Sequence, residues 1–567
     1  MEDKGRFDMK KYENGQYIPM TEEEILELAA ANSEGPPPTR SGQFVTPQMF
    51  GALADGSTDD THAINAAIDA VDNDGIVYFP QGTYLVSSSM EKNLGSDRYV
   101  AVKIKDKENL TLWLSPQATI KHAPQSYDEC AKYKTSWYFV IAIHNSKNIQ
   151  VVGGHVEGEA DSHEYHIMRE TNTIGEAHGY GINIKGSENV CVQNVEISNC
   201  YGDGISIGPY NGVKNKNIVI DGCKIHHHIR QGITLGGADH TQIRNCEIYD
   251  IRGGLPQSGI DMEPNFVSEI NVDTLIDNCY IHNVAGYALV QSKSKHTTIK
   301  GCRLMGRVMT EGDDCSDVRY TNCDIATYNS SNLYKNMLYN CRIGMALIAD
   351  AGDDFIDCHF ETGIFNDEMN DINSLPSLID IINTGSANKR PDVRFYNCKL
   401  ISLAEKDGSY QIFRNNGRAK DVVFDACEIV IGKHPNWGLY VVSQDAITMQ
   451  NCKIKSIVNG TCTKQFLQFD TPKLVFANNT IDVTDVTAAS NYSLMNITTK
   501  DSYIMDNIFF ANSAISKYLF KQALKTDASE AFYLRNIATQ WGSLGSLPSS
   551  DAVRLVSSNN ILAGGIL

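Results

Sequence analysis

The chain has 567 residues, 42% of them hydrophobic and 21% charged, with a formal net charge of −19. This is globular composition with material for a large core, which excludes collagen, coiled coil and disorder as the main theme. The negative field argues against a nucleic-acid partner, and the longest apolar run, Trp137 to Ile143, is far below the ~18 residues of a membrane span.

Residues 1–44 differ in character from the rest, and no apolar stretch follows the opening Met-Glu-Asp-Lys-Gly-Arg, so no secretory signal is expected. Thr21-Glu22-Glu23-Glu24 starts a short amphipathic helix through Ala31, with Ile25, Leu26 and Leu28 apolar and a capping-box opening. Ser33 to Gly42, with Pro36-Pro37-Pro38, reads as a linker. Ile64, Ala67, Ile68 and Val71 then form a helical stripe suited to plugging an open sheet end.

From about residue 180 the chain becomes a series of short strands. Gly181-Ile-Asn-Ile-Lys185, Gly204-Ile-Ser-Ile-Gly208, Gly232-Ile-Thr-Leu-Gly236 and Gly259-Ile-Asp-Met-Glu263 align as successive rungs of one sheet. With the aliphatic residues inward, Asn183, Ser206, Thr234 and Asp261 form one outward row, and Lys185, Gly208, Gly236 and Glu263 the next. The two glycines open a shallow trough beside Glu263. Asp261 and Glu263, two apart, are expected to share the outward face at about 6.5 Å between Cα atoms. Two close carboxylates repel, which raises one pKa and suits a general acid beside a second carboxylate. Asp203, two rungs before Asp261, is a third candidate catalytic acid.

Arg230 is the candidate for a sugar carboxylate, with Gln231 at the same corner and Lys185 along the trough. The insertion from Glu157 to Gly179 has the length of a lid, and His178 and Tyr180 at its end are candidate sugar contacts. His226-His227-His228 sits on a strand, where alternate side chains face opposite ways, so no shared metal is expected and the three are read as surface or corner residues.

Ten of the fifteen cysteines recur in one phrase: Cys223, Cys246, Cys279, Cys302, Cys323, Cys341, Cys358, Cys398, Cys427 and Cys452. Each is followed by one residue and then an aliphatic or aromatic one, at intervals of 17 to 40 residues, and six are preceded by Asn. A repeat of ~20–25 residues marks a stacked array. Three strands per repeat make a triangular coil, with Cys as a small inward hydrophobe and Asn at a left-handed corner, bonded along the stack. Paired zinc spacings are missing, so free thiols are expected. After about residue 523 the rhythm is expected to lapse, giving divisions at 1–44, 45–522 and 523–567.

Val45-Thr-Pro-Gln-Met-Phe-Gly-Ala-Leu-Ala-Asp-Gly-Ser-Thr-Asp-Asp-Thr-His-Ala-Ile64, a helix, and Gly75-Ile-Val-Tyr-Phe-Pro-Gln-Gly-Thr-Tyr-Leu-Val86 resemble the opening of the pectate-lyase-like right-handed parallel β-helix superfamily, in the form found in bacteriophage tailspikes and polysaccharide depolymerases. The resemblance implies an all-β chain, a single-stranded three-sheet solenoid with an N-terminal capping helix. It implies a glycoside hydrolase cleaving an extended glycan on the outer face, without a cofactor. It also implies a homotrimer, attachment to a phage tail through residues 1–44, and a virion or extracellular location.

Two rivals stay open. A polysaccharide lyase would use Arg230 or Lys185 near the base and calcium held by Asp203, Asp261 and Glu263; a receptor-binding spike would grip glycan without cleaving it. Teichoic acid is a further possible substrate.

Overall fold

The computed structural model describes residues 9–13, 16–19, 42–71, 74–91, 98–124, 138–162, 167–168, 173–174, 178–332, 334–349, 352–365, 377–381, 392–402, 411–415, 419–432, 439–457, 460–462, 466–488, 493–511, 518–524, 530–538, 545–546, 554–558, 560–562 and 565–566. The expected helix over 21–31, nearly all of the 33–42 linker and much of the 157–179 insertion lie outside them. The chain forms two compact units, residues 1–306 and 307–567.

The first unit is a right-handed parallel β-helix with three ladders per coil. One ladder runs through Glu108–Leu114, Lys147–Val152, Glu188–Gln193, Asn215–Asp221, Ala238–Arg244, Asn271–Asp277 and Ser294–Lys300. A second runs through Ala118–His122, His155–Glu157, Glu196–Ser198, Lys224–His228, Glu247–Ile251 and Tyr280–Val284. The third carries the candidate site: β1 (Tyr138–His144), β2 (Gly179–Lys185), β3 (Asp203–Gly208), β4 (Gln231–Leu235), β5 (Ser258–Met262) and β6 (Tyr287–Gln291), each parallel to the next.

Period-2 alternation sends Ile182, Ile184, Ile205, Ile207, Ile233, Leu235, Ile260 and Met262 into the interior, where all are buried. Each such side chain contributes about 1.5–3 kcal/mol by leaving water.

The first coil is closed as its apolar stripe implies. Helix α1 (Thr61–Ala70) buries Ala63, Ile64, Ala67 and Ile68, and Val71 follows. Asn65 also satisfies the open edge of the strand Arg98–Lys105: its Nδ2 donates to Ala101 O at 2.7 Å and its Oδ1 accepts from Lys103 N at 2.9 Å. These two bonds cover part of the edge that a foreign strand could otherwise pair with.

The corner ahead of each repeated cysteine is left-handed throughout: Gly222, Asn245, Asn278, Gly301, Asn322, Asn340, Asp357, Asn397, Ala426 and Asn451 all have positive φ. The asparagines bond along the stack, as in Asn278 Nδ2 to Asn245 Oδ1 at 2.9 Å and Asn340 Nδ2 to Asn322 Oδ1 at 2.8 Å. Behind them all ten cysteines are buried free thiols.

The second unit keeps the same construction. Asn336–Tyr339, Asp353–Ile356, Val393–Tyr396, Ala419–Asp425, Leu439–Gln450, Leu467–Ala477 and Ser493–Met505 pair in parallel. Phe355, Phe395 and Phe424 stack inside at 5.1 and 5.0 Å between ring centroids. The rhythm does not lapse at residue 523. Glu530–Leu534 pairs with Ser493–Met505 and then with Arg554–Ser558, while buried Asn507, Asn536 and Asn560 bond rung to rung. The polar cysteine-free coils disguise the repeat, because Asn takes the inward corner there. At the other end, Met9–Glu13 pairs in parallel with Gly42–Val45, so part of the N-terminal segment belongs to a sheet.

Candidate functional site

The rung alignment places the expected rows. Asn183 pairs with Ser206, Ser206 with Thr234 and Thr234 with Asp261, while Lys185 pairs with Gly208. A Cβ added at Gly208 would meet nothing within 4 Å, so the trough floor is open there. Asp203, Gln231 and Ser258 form a further row three residues earlier.

Four sequence candidates come together in one network. Arg230 Nη1 donates to Asp203 Oδ1 at 2.9 Å, to Asp203 Oδ2 at 3.0 Å and to Gln231 Oε1 at 3.1 Å. Thr234 Oγ1 lies 2.7 Å from Asp203 Oδ2 and also bonds Gln231 Oε1. Gln231 Nε2 donates to Asp261 Oδ2. Asp261 Oδ1 is buried with no partner among the described residues.

The electrostatics follow from burial. Asp261 is only 2% exposed, and burial, reinforced by the Glu263 charge, pushes its carboxyl up to about 7 against the opposing pull of Arg230. Burial also raises Asp203, with Arg230 and Thr234 acting against it. For Arg230 burial disfavours the charge, but Asp203 and the nearby Tyr180 hydroxyl outweigh it and keep the guanidinium charged.

Several expectations need correction. Asp261 and Glu263 do not share a strand face: β5 ends at Met262, leaving Asp261 enclosed and Glu263 exposed. Pro264 is the reason, since a proline disfavours continuation of the ladder around it. Arg230, its side chain 25% exposed, is paired with Asp203 through Nη1. Gln231 is fully buried and has no surface to offer a ligand. Tyr180 and His178 are buried too: Tyr180 stacks on Phe139 at 5.6 Å, and His178 Nδ1 lies 2.9 Å from the Tyr180 hydroxyl. They back the site near Arg230.

Lys185 lies apart from the acid network, its Nζ 5.6 Å over the Phe139 ring. Of the three consecutive histidines, His228 is buried and its Nδ1 accepts from Cys200 N at 3.2 Å, so the surface reading fails there. It holds for exposed His227, and half-buried His226 stacks on Tyr249 at 4.7 Å.

The calcium set of the lyase alternative is not assembled. Both Asp203 oxygens are engaged by Arg230 and Thr234, and among the described residues no group of three or more His, Cys, Asp or Glu is arranged to hold a metal.

Two neighbours escaped the sequence reading. Buried His144, at the head of the Lys185 row, lies 2.7 Å by Nε2 from Asn183 Oδ1, and burial holds it down to about 4. Its ring lies 5.8 Å from Tyr210, which borders the trough. Neither carries a local signal, because both act across coils.

Residues 45–255 match the family described as rhamnogalacturonase A/epimerase, pectate lyase-like. The chain is 31% identical over 257 residues to the uncharacterized protein YclG of Bacillus subtilis, covering 42% of this chain and 41% of the relative. It is 28% identical over 199 residues to the SPbeta prophage-derived uncharacterized protein YorA of the same organism, covering 33% and 32%. The chain thus spans less than half the length of these relatives. Among solved structures it is similar to the tailspike protein gp49 of Acinetobacter baumannii bacteriophage Fri1, a capsular polysaccharide depolymerase, at 12% identity and a TM-score of 0.37, covering 68% of this chain and 59% of that one.

Proposed function

We propose that this chain is a polysaccharide depolymerase, a glycoside hydrolase that binds an extended glycan along the trough of β2 to β5. One observation carries the reading: an enclosed carboxyl raised to about 7 stands two residues from an exposed carboxylate, on the ladder whose floor is open at Gly208 two rungs earlier. Asp261, about half protonated at neutral pH, serves as general acid to the leaving oxygen once the bound glycan opens its enclosed Oδ1, while Glu263 activates water or receives the sugar. Asp203 fixes Arg230, whose charge lies close enough to act on Asp261, and Lys185 lines the approach. No cofactor enters this chemistry. A prophage-derived relative fits a phage-associated setting, and the proposal includes a virion or extracellular location, residues 1–44 as an attachment segment and a homotrimer as the assembly.

The test is incubation with a panel of capsular, cell-wall and plant glycans, followed by end analysis. New reducing ends without ultraviolet absorbance are expected. Unsaturated uronate ends would replace the hydrolase by a lyase, and binding without cleavage would leave a receptor spike.

A further inference from the structure

The amide of Gln231 lies between the Arg230–Asp203 pair and Asp261, and its orientation is dictated by chemistry. A guanidinium only donates, so the Gln231 atom 3.1 Å from Arg230 Nη1 is the carbonyl oxygen. The amide nitrogen therefore faces Asp261 Oδ2. The backbone holds it there, with Gln231 in register between Asp203 and Ser258, and it is completely buried.

We propose that Gln231 is the positioning residue of the site, holding Asp261 by Oδ2 so that Oδ1 is the oxygen that carries the proton. The inference rests on the acid role given to Asp261 above. A carboxyl that accepts an N–H on one oxygen carries its proton on the other, and Oδ1 is the oxygen with no partner among the described residues. The charged groups facing Asp261 are Glu263 beyond the end of its own strand and Arg230 and Asp203 from the preceding coils. On the following coil its opposite residue is apolar Val290. Within this set Gln231 contributes a neutral donor, which favours the carboxylate and tempers the effect of burial without adding a charge that titrates.

Gln231→Met keeps the length and removes the donor. Asp261 should then titrate about one pH unit higher. The measurement is its infrared carboxyl band, assigned by loss in Asp261→Asn. On a cleaved glycan the alkaline limb of activity should move by the same amount, with kcat falling and KM little changed. Gln231→Glu, isosteric with the native residue, should raise the Asp261 midpoint further, measured against the Gln231→Glu, Asp261→Asn double variant. An unchanged Asp261 midpoint in the folded variants overturns the proposal. If the native protein cleaves no glycan, the hydrolase reading fails by itself, and the infrared midpoint still decides the role of Gln231.

Discussion

At residue scale the site depends on two carboxyls in unlike surroundings. Asp261 is enclosed because it lies mid-row on a sheet face crowded by Gln231 and Thr234. Glu263 is exposed because Pro264 takes the chain off the ladder. Asp261→Asn removes the transferable proton, and a fall in glycan cleavage of at least ~10²-fold is expected, with the melting temperature little changed. The native alkaline limb should lie near pH 7, since Asp261 is the proton donor and activity is lost as pH rises through its pKa. Glu263→Gln should reduce cleavage comparably and move the limb to lower pH, because the Glu263 charge is one cause of the raised value. Near-normal cleavage in both variants would place the chemistry elsewhere. Asp203, Arg230, Gln231 and Asp261 were legible together because parallel rungs convert sequence offsets into neighbours. Their hydrogen-bond partners were not, since a side chain's choice between a sugar and a neighbouring acid depends on rotamers that spacing leaves open.

At the scale of the element, the corner before each repeated cysteine makes one demand, a left-handed backbone, and different residues meet it unequally. Gly and Asn do so at little cost, and Asn also bonds to the next rung. Ala426 meets it at φ 55 with neither advantage. Its neighbours show the break: Asn397 Nδ2 reaches back to Asp357 Oδ1 at 2.7 Å, but Asn451 Nδ2 turns to Asp425 Oδ1 at 2.8 Å. Ala426 is exposed, so a longer side chain meets solvent there. Ala426→Asn is expected to stabilise the protein by about 1 kcal/mol, through backbone strain relieved and a rung restored. Urea unfolding checks it; a variant no more stable than the native chain would mean that the corner tolerates alanine without strain. The left-handed corner and buried thiol were legible from the Asn-Cys phrase. The coils after residue 523 were not, because an inward Asn ladder lacks the cysteine that marks the turn.

For the whole molecule, the coil pattern made the β-helix legible over most of the chain, but self-association depends on outward residues that no repeat constrains. Leu333-Tyr334 and Trp437-Gly-Leu-Tyr440 are apolar pairs and runs that read as outward positions in the sequence; Leu333 and Trp437 lie outside the described residues, and Tyr334 is exposed. The second unit adds Met337 and Tyr339, 43% and 45% exposed on one strand. Tyr339 is in register with Ile356, and Ile356 with Tyr396, which extends the strip over three rungs. A strip of this kind is shielded most completely by another copy, and rotational closure leaves none of it open. With a net charge of −19 on each chain, association has to overcome mutual repulsion, so it should strengthen with salt. Light scattering is therefore expected to give about three times 62.6 kDa at physiological ionic strength. Met337→Asp combined with Tyr339→Asp should return it to the monomer without lowering glycan cleavage per chain. A native mass of 62.6 kDa that does not change with concentration or salt would rule the trimer out. A trimer unaffected by the double substitution would move the interface off this strip.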